Sequence, residues 1–125
     1  ILGNEEDKRK VVLLYGSTDQ KNILCGELLK VWEEKFPDQL KVVHVLSQEP
    51  ADSSWEGERG FINERIFKKY VIEEDYKDVE EERMEGVFVC GPPPLYGALC
   101  GPRTEKEVSG MLLTLGYGEE QVFKF

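Results

Sequence analysis

Three apolar runs limit what this chain can fold into: KVVLLYGS at Lys10–Ser17, LKVVHVLS at Leu40–Ser47 and GVFVC at Gly86–Cys90. LKVVHVLS and GVFVC read as the second and third strands, and KVVLLYGS is a continuous β-branched and leucine run stopped by glycine, which suits a strand buried on both faces. A strand with one face in water alternates, so a strand without alternation is covered on both faces. None of the runs is long enough to span a bilayer. Between the first two, DQKNILCGELLKVWEEKF sets Leu24, Leu28, Val31 and Trp32 on one helical face before Pro37-Asp38 stops it. That stripe is expected to be core. Strand, helix, strand in this order predicts βαβ units: an α/β fold with a parallel sheet and helices on both faces.

The remaining segments extend the alternation. QEPADSSWEGERG is a polar loop rich in turn formers, with Trp55 as its anchor. FINERIFKKY predicts a short helix with Asn63 as N-cap and Ile66 and Tyr70 paired on one face. IEEDYKDVEEERMEG is an acidic, solvated excursion, and its carboxylates read as surface charge rather than as a catalytic pair. After the proline run, Leu95–Leu99 predicts a short helix. TEKE at Thr104–Glu107 has the form of a capping box, opening a helix with Val108, Met111, Leu112 and Leu115 on one face. QVFKF closes the chain as a strand.

Composition excludes several function classes. With 125 residues there is one domain at most, and a net charge of −9 repels phosphate backbones and anionic membranes. Nucleic acid is therefore not an expected partner, and no transmembrane segment is expected in this chain. The chain starts at Ile1 rather than Met, which points to a fragment. Cys25, Cys90 and Cys100 are odd in number and scattered, with neither metal spacing nor a disulfide framework. No metal site is expected, and the compartment is expected to be reducing, cytoplasmic or on the cytoplasmic side of a membrane. Cys25 and Cys100 read as small structural hydrophobes. His44, the one histidine, sits mid-strand and reads as a packed residue rather than a base, which leaves Cys/His catalysis without support.

Chemistry concentrates at two strand ends, YGS and CGPPP. In parallel sheets ligands lie beyond the carboxyl ends of the strands. Glycine there admits a ligand close to the backbone, and prolines stiffen the following turn while removing N–H donors. Three consecutive prolines at such a strand end favour a ligand site over a plain turn with a buried cysteine behind it.

CGPPPL closely resembles the CGPPPM signature of the cytochrome b5 reductase and nitrate reductase flavoproteins, within the wider ferredoxin–NADP reductase superfamily. Further segments resemble that family in its own order. VVLLYGSTDQKNILCGEL is similar to the strand and helix after its glycine-rich loop, and FPDQLKVVHVLSQEP to its HPDRFKVWYVLDRPP type of segment. SWEGERGFINERIF is similar to its W-x-G-x-x-G-F segment, and GYGEEQVFKF to its aromatic C-terminus. The resemblance is weak at 72–86 and 103–114, which read as insertions.

The resemblance implies a Rossmann-like NAD(P)H-binding lobe over 1–125, incomplete because the family's first, central strand and its glycine-rich loop are lacking. Residues 1–10 then read as the end of a preceding helix and a linker. Family members pass hydride from a nicotinamide nucleotide to FAD, held by a separate lobe, and then single electrons to cytochrome b5 or another haem or iron–sulfur acceptor. A membrane anchor upstream is compatible with this, and the fragment alone is expected to be inactive. Carried over position by position, Cys90 stands beside the nicotinamide, and Gly91, Pro92 and Pro93 wall its half of the nucleotide, with Pro94 and Leu95 setting the turn. Gly16 and Ser17 lie near the adenosine half, Gly60 and Phe61 line the cleft, and Phe125 is the terminal aromatic. Ser47 stands where NADH-preferring members carry an aspartate. NADH is the first expectation, NADPH stays open, and Lys21 is the nearest cation for a 2′-phosphate. The competing reading is a non-catalytic βαβ module that docks an electron-transfer partner. A receiver-like domain fits poorly, because VVLLYGS does not end in the acidic residues such domains need.

Overall fold

The computed structural model describes residues 1–73 and 86–125. Among these, the elements follow in the order β1 (Val11–Ser17), α1 (Gly26–Lys35), β2 (Leu40–Leu46), β3 (Glu58–Arg59), α2 (Glu64–Phe67), β4 (Val87–Val89), α3 (Pro93–Leu99), α4 (Gly110–Thr114) and β5 (Val122–Lys124). A 3₁₀ turn at Gln20–Asn22 precedes α1, and a π-helical stretch, Lys68–Glu73, extends α2.

The fold is α/β, as expected, and the described strands all pair parallel, in two sheets ordered β1-β2-β3 and β4-β5. Among the described strands β1 pairs only with β2, and β4 only with β5, so each keeps one edge without a ladder partner. The chain divides into two compact units, one of Ile1–Ile62 with Ile66–Asp75 and one of Asn63–Arg65 with Tyr76–Phe125.

The first unit is built on the β1–β2 ladder, in register from Val11↔Leu40 to Ser17↔Leu46. Leu40, Val43, Val45 and Leu46 of β2 are buried. Val43, Val45 and Ile66 form a core cluster against which Leu14, Ile62 and Tyr70 pack, so the Ile66/Tyr70 pairing read from the sequence holds. The α1 stripe does not behave as expected. Leu24, Leu28, Val31 and Trp32 are exposed, Leu24 at 71%, and the half-buried side of α1 carries Leu29 and Glu33. Spacing identifies a face of a helix but not what that face meets. Here β3 reaches only Val45 and Leu46, and the Val42 N–H, further back along β2, donates to Glu33 Oε1 at 2.8 Å. A carboxylate is thus drawn to the strand edge to satisfy a backbone donor.

Residues 1–10 run as turns and extended chain. They are pinned by the Arg9 guanidinium, which donates to both carboxylate oxygens of Asp7. Those side-chain bonds, with the Arg9 backbone N–H, hold the Asp7 carboxyl well below the usual carboxylate range.

In the second unit Val87, Val89 and Val122 are buried, and the alternate positions Phe88, Phe123 and Phe125 are exposed. Phe88 stacks on Phe123 with ring centroids 5.1 Å apart. Tyr96, Leu99, Cys100, Val108 and Leu112 are buried. Helix α4 starts at Gly110, not at the TEKE segment. The Lys124 ammonium explains the loop, donating to the carbonyls of Pro102, Glu105 and Glu107 at 3.0, 2.9 and 2.8 Å. Carbonyls that converge on one cation cannot also run parallel along a helix axis. Val108, Leu112 and, half-buried, Met111 and Leu115 still share the inner side, as their spacing predicts. The acidic excursion read at 72–86 falls largely on 74–85, outside the described residues. The 103–114 segment comprises the Lys124-bound loop and α4.

Gly110 has φ +64, and a Cβ there would sit 2.7 Å from the Ala98 carbonyl oxygen. Backbone conformation and the close approach of α4 to α3 therefore both require glycine. Gly110→Ala is expected to destabilise the protein by about 2 kcal/mol or more. A urea unfolding midpoint equal to wild type would contradict this packing.

Candidate functional site

The parallel β1–β2 ladder delivers the two strand ends side by side. The Ser47 N–H donates to the Ser17 carbonyl at 3.0 Å, and the Gln48 N–H to the Thr18 carbonyl at 2.7 Å, so pairing continues past the strands. The Ser47 hydroxyl lies 3.5 Å from the Ser17 carbonyl oxygen. Gly16 is exposed, and a Cβ there would meet only the Ile62 side chain, at 3.8 Å. Gly60 closes the group: its N–H donates to the Leu46 carbonyl at 2.9 Å. Its φ is +95, with open space where a Cβ would be. Gly16, Ser17, Ser47 and Gly60 thus gather at one end of the sheet, with Phe61 beside them and 77% exposed.

Neighbouring side chains hold this end rigid. The Arg59 guanidinium donates to the carbonyls of Glu49, Pro50 and Trp55 and to the Ser53 hydroxyl. Trp55 donates its indole N–H to the Glu58 carbonyl at 3.1 Å, which makes it the loop anchor expected of it. Its ring lies against Gly57, where a Cβ would come within 2.5 Å of it. The Glu58 carboxylate accepts from Tyr70 Oη at 2.9 Å and Lys69 Nζ at 3.3 Å. The Glu49 carboxylate accepts from the Gln20 backbone N–H at 2.9 Å and its side-chain amide at 2.6 Å. Sequence reasoning missed Arg59 and Glu49, because nothing in their spacing marks them.

The second group lies in the second unit. Cys90 follows β4 and is exposed, as are Gly91, Pro92, Pro93 and Pro94, while Leu95 is half-buried. The prolines do more than stiffen a turn. Pro92 is the extended N-cap, and Pro93 and Pro94 open α3. At those positions a helix has no internal acceptor for the backbone N–H, so proline forfeits nothing. Phe125 is tied to the same strand end, its N–H donating to the Val89 carbonyl at 3.0 Å. The buried Tyr96 donates its hydroxyl to the Phe125 carbonyl, with the Val89 carbonyl at 3.4 Å. Tyr96 was missed as well. Its signal was a tyrosine in the apolar run LYGAL, since a buried hydroxyl needs an acceptor.

The thiols separate by environment. Cys25 and Cys90 are exposed and Cys100 is buried, all three free. Cys25 is not the buried hydrophobe expected, but stands in the left-handed region, φ 56, as the N-cap of α1. Burial pushes the Cys100 thiol up, against the attraction of Lys124. His44 is half-buried, packed against the Tyr15 ring at 5.5 Å, with its buried Nδ1 lacking a hydrogen-bond partner. Burial pushes its pKa below the ordinary 6.5, opposed by Glu33.

Adjoining ends of parallel strands define the class of fold: an α/β protein of the kind whose ligands lie beyond the carboxyl ends of the strands. Residues 1–101 match the model of the oxidoreductase NAD-binding domain, and the chain belongs to that family. It is 37% identical over its whole length to the NADH-cytochrome b5 reductase 2 of Aspergillus terreus, of which it covers 38%. It is 43% identical to that of Debaryomyces hansenii, of which it covers 40%. The chain thus spans about two fifths of the length of these relatives. It shares its fold with the cytochrome b5 reductase domain of Ulva prolifera nitrate reductase, with TM-score 0.76 and 22% identity over 100% of this chain and 40% of that one. It shares it also with the CS-b5R domains of human Ncb5or in the NAD+ form, with TM-score 0.68 and 22% identity over 91% of this chain and 27% of that one.

Two measurements check these environments. A disulfide exchange reagent at neutral pH is expected to label Cys25 and Cys90 at once and Cys100 only on unfolding; prompt labelling of all three thiols would contradict the burial of Cys100. His44 has a folded pKa below its unfolded value, so the unfolded state binds more protons in that interval. Its contribution to stability is full above about pH 6.5 and is lost as pH falls through the depressed folded value. His44→Gln should flatten the fall in melting temperature between neutral pH and pH about 5; an equally steep fall would place the titration elsewhere.

Proposed function

We propose that this chain is the nicotinamide-nucleotide lobe of a flavin-dependent reductase, one that takes hydride from NADH and passes single electrons to cytochrome b5 or a similar haem or iron–sulfur acceptor. The observation that carries the reading is the segment Cys90–Leu95: an exposed Cys-Gly-Pro leaving a parallel strand and running directly into a helix, in a chain that aligns over its whole length with NADH-cytochrome b5 reductases. FAD belongs to a separate lobe in this proposal, and no residue here is assigned to it beyond the aromatic Phe125. The nicotinamide supplies the hydride and the flavin receives it.

The residues present fit a nucleotide. Gly60 leaves open space over the backbone and Gly16 meets only the Ile62 side chain, at 3.8 Å, and the Ser17 and Ser47 hydroxyls offer polar contacts for a ribose. In the proposal these four and Phe61 hold the adenosine half. In the second unit, taken by itself, Gly91, Pro92, Pro93 and Pro94 are proposed to wall a nicotinamide, with Cys90 packing beside the ring. The α3 start that these prolines pre-set keeps Cys90 in place, so it orients and excludes water rather than attacking as a nucleophile. Three free thiols support a reducing, cytoplasm-facing compartment.

The full-length gene product is expected to show flavin absorbance and to reduce ferricyanide with NADH. A colourless, inactive product would overturn the reading in favour of a docking module. Gly16→Val is expected to weaken NADH binding at least about tenfold, equivalent to about 1.4 kcal/mol, with the melting temperature little changed. Unchanged affinity in a titration would show that the nucleotide does not lie over this strand end.

A further inference from the structure

The segment from Cys90 to Leu95 leaves β4 and is brought back to it by a side chain. Tyr96 of α3 is buried, and its hydroxyl lies 3.4 Å from the carbonyl of Val89, the residue before Cys90. A phenol has one proton to give, and Tyr96 donates it to the Phe125 carbonyl. The Phe125 N–H in turn donates to the Val89 carbonyl at 3.0 Å. One buried hydroxyl thus joins the ends of β4 and β5, and the side chains that leave this junction, Cys90 and Phe125, are both exposed. The Phe125 ring lies over Phe88, with centroids 5.9 Å apart. The closed segment is itself tightly packed. A Cβ on Gly91 would run into the Leu95 side chain, and the Leu95 N–H donates to the Pro92 carbonyl at 3.0 Å. The Tyr96 carbonyl accepts from the N–H groups of Cys100 and Gly101, at 2.9 and 2.7 Å, so the tyrosine is anchored at its backbone as well as at its hydroxyl.

We propose that Tyr96 is a positioning residue for hydride transfer: its hydroxyl fixes Cys90 and Phe125 relative to each other at the joined ends of β4 and β5. The inference rests on the nucleotide-lobe reading above and adds to it a buried residue that touches neither nicotinamide nor flavin. The β4–β5 ladder is short and ends at Val89↔Lys124. Beyond it the Phe125 backbone is held by the Val89 carbonyl on one side and by Tyr96 on the other. Val87, Val89 and Val122 supply burial there, but apolar contact has no direction, whereas a hydrogen bond fixes both distance and angle. Loss of the hydroxyl would free the end of β5 to shift against β4. A misplacement of about 1 Å near reacting groups can cost on the order of a hundredfold in rate.

The test uses the full-length protein with Tyr96→Phe, which keeps the ring and removes the hydroxyl. With NADH and ferricyanide, kcat is expected to fall about tenfold while KM stays within about twofold, and the isotope effect from NADH deuterated at C4 is expected to rise. A second readout needs no turnover: amide hydrogen exchange at Phe125 is expected to quicken at least about tenfold in the variant, with the α1 amides unchanged. A lower melting temperature with kcat and KM both unchanged would mean that Tyr96 only holds the fold, and a rise in KM alone would mean that it serves binding rather than transfer; either result overturns the proposal and leaves the nucleotide-lobe reading standing. If the variant does not fold, the wild type decides: its Phe125 amide is expected to exchange at least about a hundredfold more slowly than unstructured chain, and an unprotected amide overturns the proposal. Wild-type protein that holds no flavin and does not oxidise NADH overturns it together with the nucleotide-lobe reading.

Discussion

Parallel pairing of β1 with β2 is the constraint on which the site in the first unit depends. Parallel strands start from the same side and finish on the same side, so Ser17 and Ser47, thirty residues apart in the sequence, must lie together. The ladder then continues past the strands through Ser47 and Gln48. That extension turns two unrelated loops into one surface. Gly16, Gly60 and the serine hydroxyls gain their meaning from this juxtaposition, because none is chemically distinctive alone.

A second theme is how the loops satisfy their backbone. Loops cannot answer their carbonyls with a ladder, and buried or crowded carbonyls need donors. Three side chains supply them here: Arg59 for the loop after β2, Lys124 for the segment before α4, and Tyr96 for the chain terminus. Each reaches from a strand or helix into irregular chain. Each also fixes something near a candidate functional position: Glu49 by Arg59, and the Phe125 end beside Cys90 by Tyr96. Rigidity near the strand ends thus comes from long polar side chains as much as from apolar packing.

Much of the plan was legible. The runs at Val11–Ser17 and Leu40–Leu46, the short helix around Ile66 and the strand at Val87–Val89 follow from apolar periodicity, because burial imposes that periodicity directly. The CGPPP segment announced its own place through proline's fixed φ and missing donor. What failed did so for identifiable reasons. The Leu24–Trp32 stripe was read as core and is exposed, while on the other side of α1 Glu33 accepts from the Val42 N–H; helical spacing defines a stripe but not which side of the helix meets the sheet. The TEKE segment has a capping pattern but serves as a loop, because Lys124 from the last strand captures its carbonyls. Neither partner is marked by a local pattern: Val42 stands nine residues from Glu33, and Lys124 stands 17 or more from the carbonyls it meets.

What the sequence by itself determined is the set of elements, their parallel α/β arrangement and the two strand ends where chemistry collects, since each follows from residue period and from the fixed geometry of glycine and proline. Only the tertiary structure decided that the strands form two sheets, that α1 turns its apolar stripe outward, and that a carboxylate from Glu49 stands over the end of β1. Period and propensity are local properties of the backbone and are written residue by residue. The partner of an edge, a face or a charge is set by whichever distant group satisfies it, and that exists only once the chain has closed on itself.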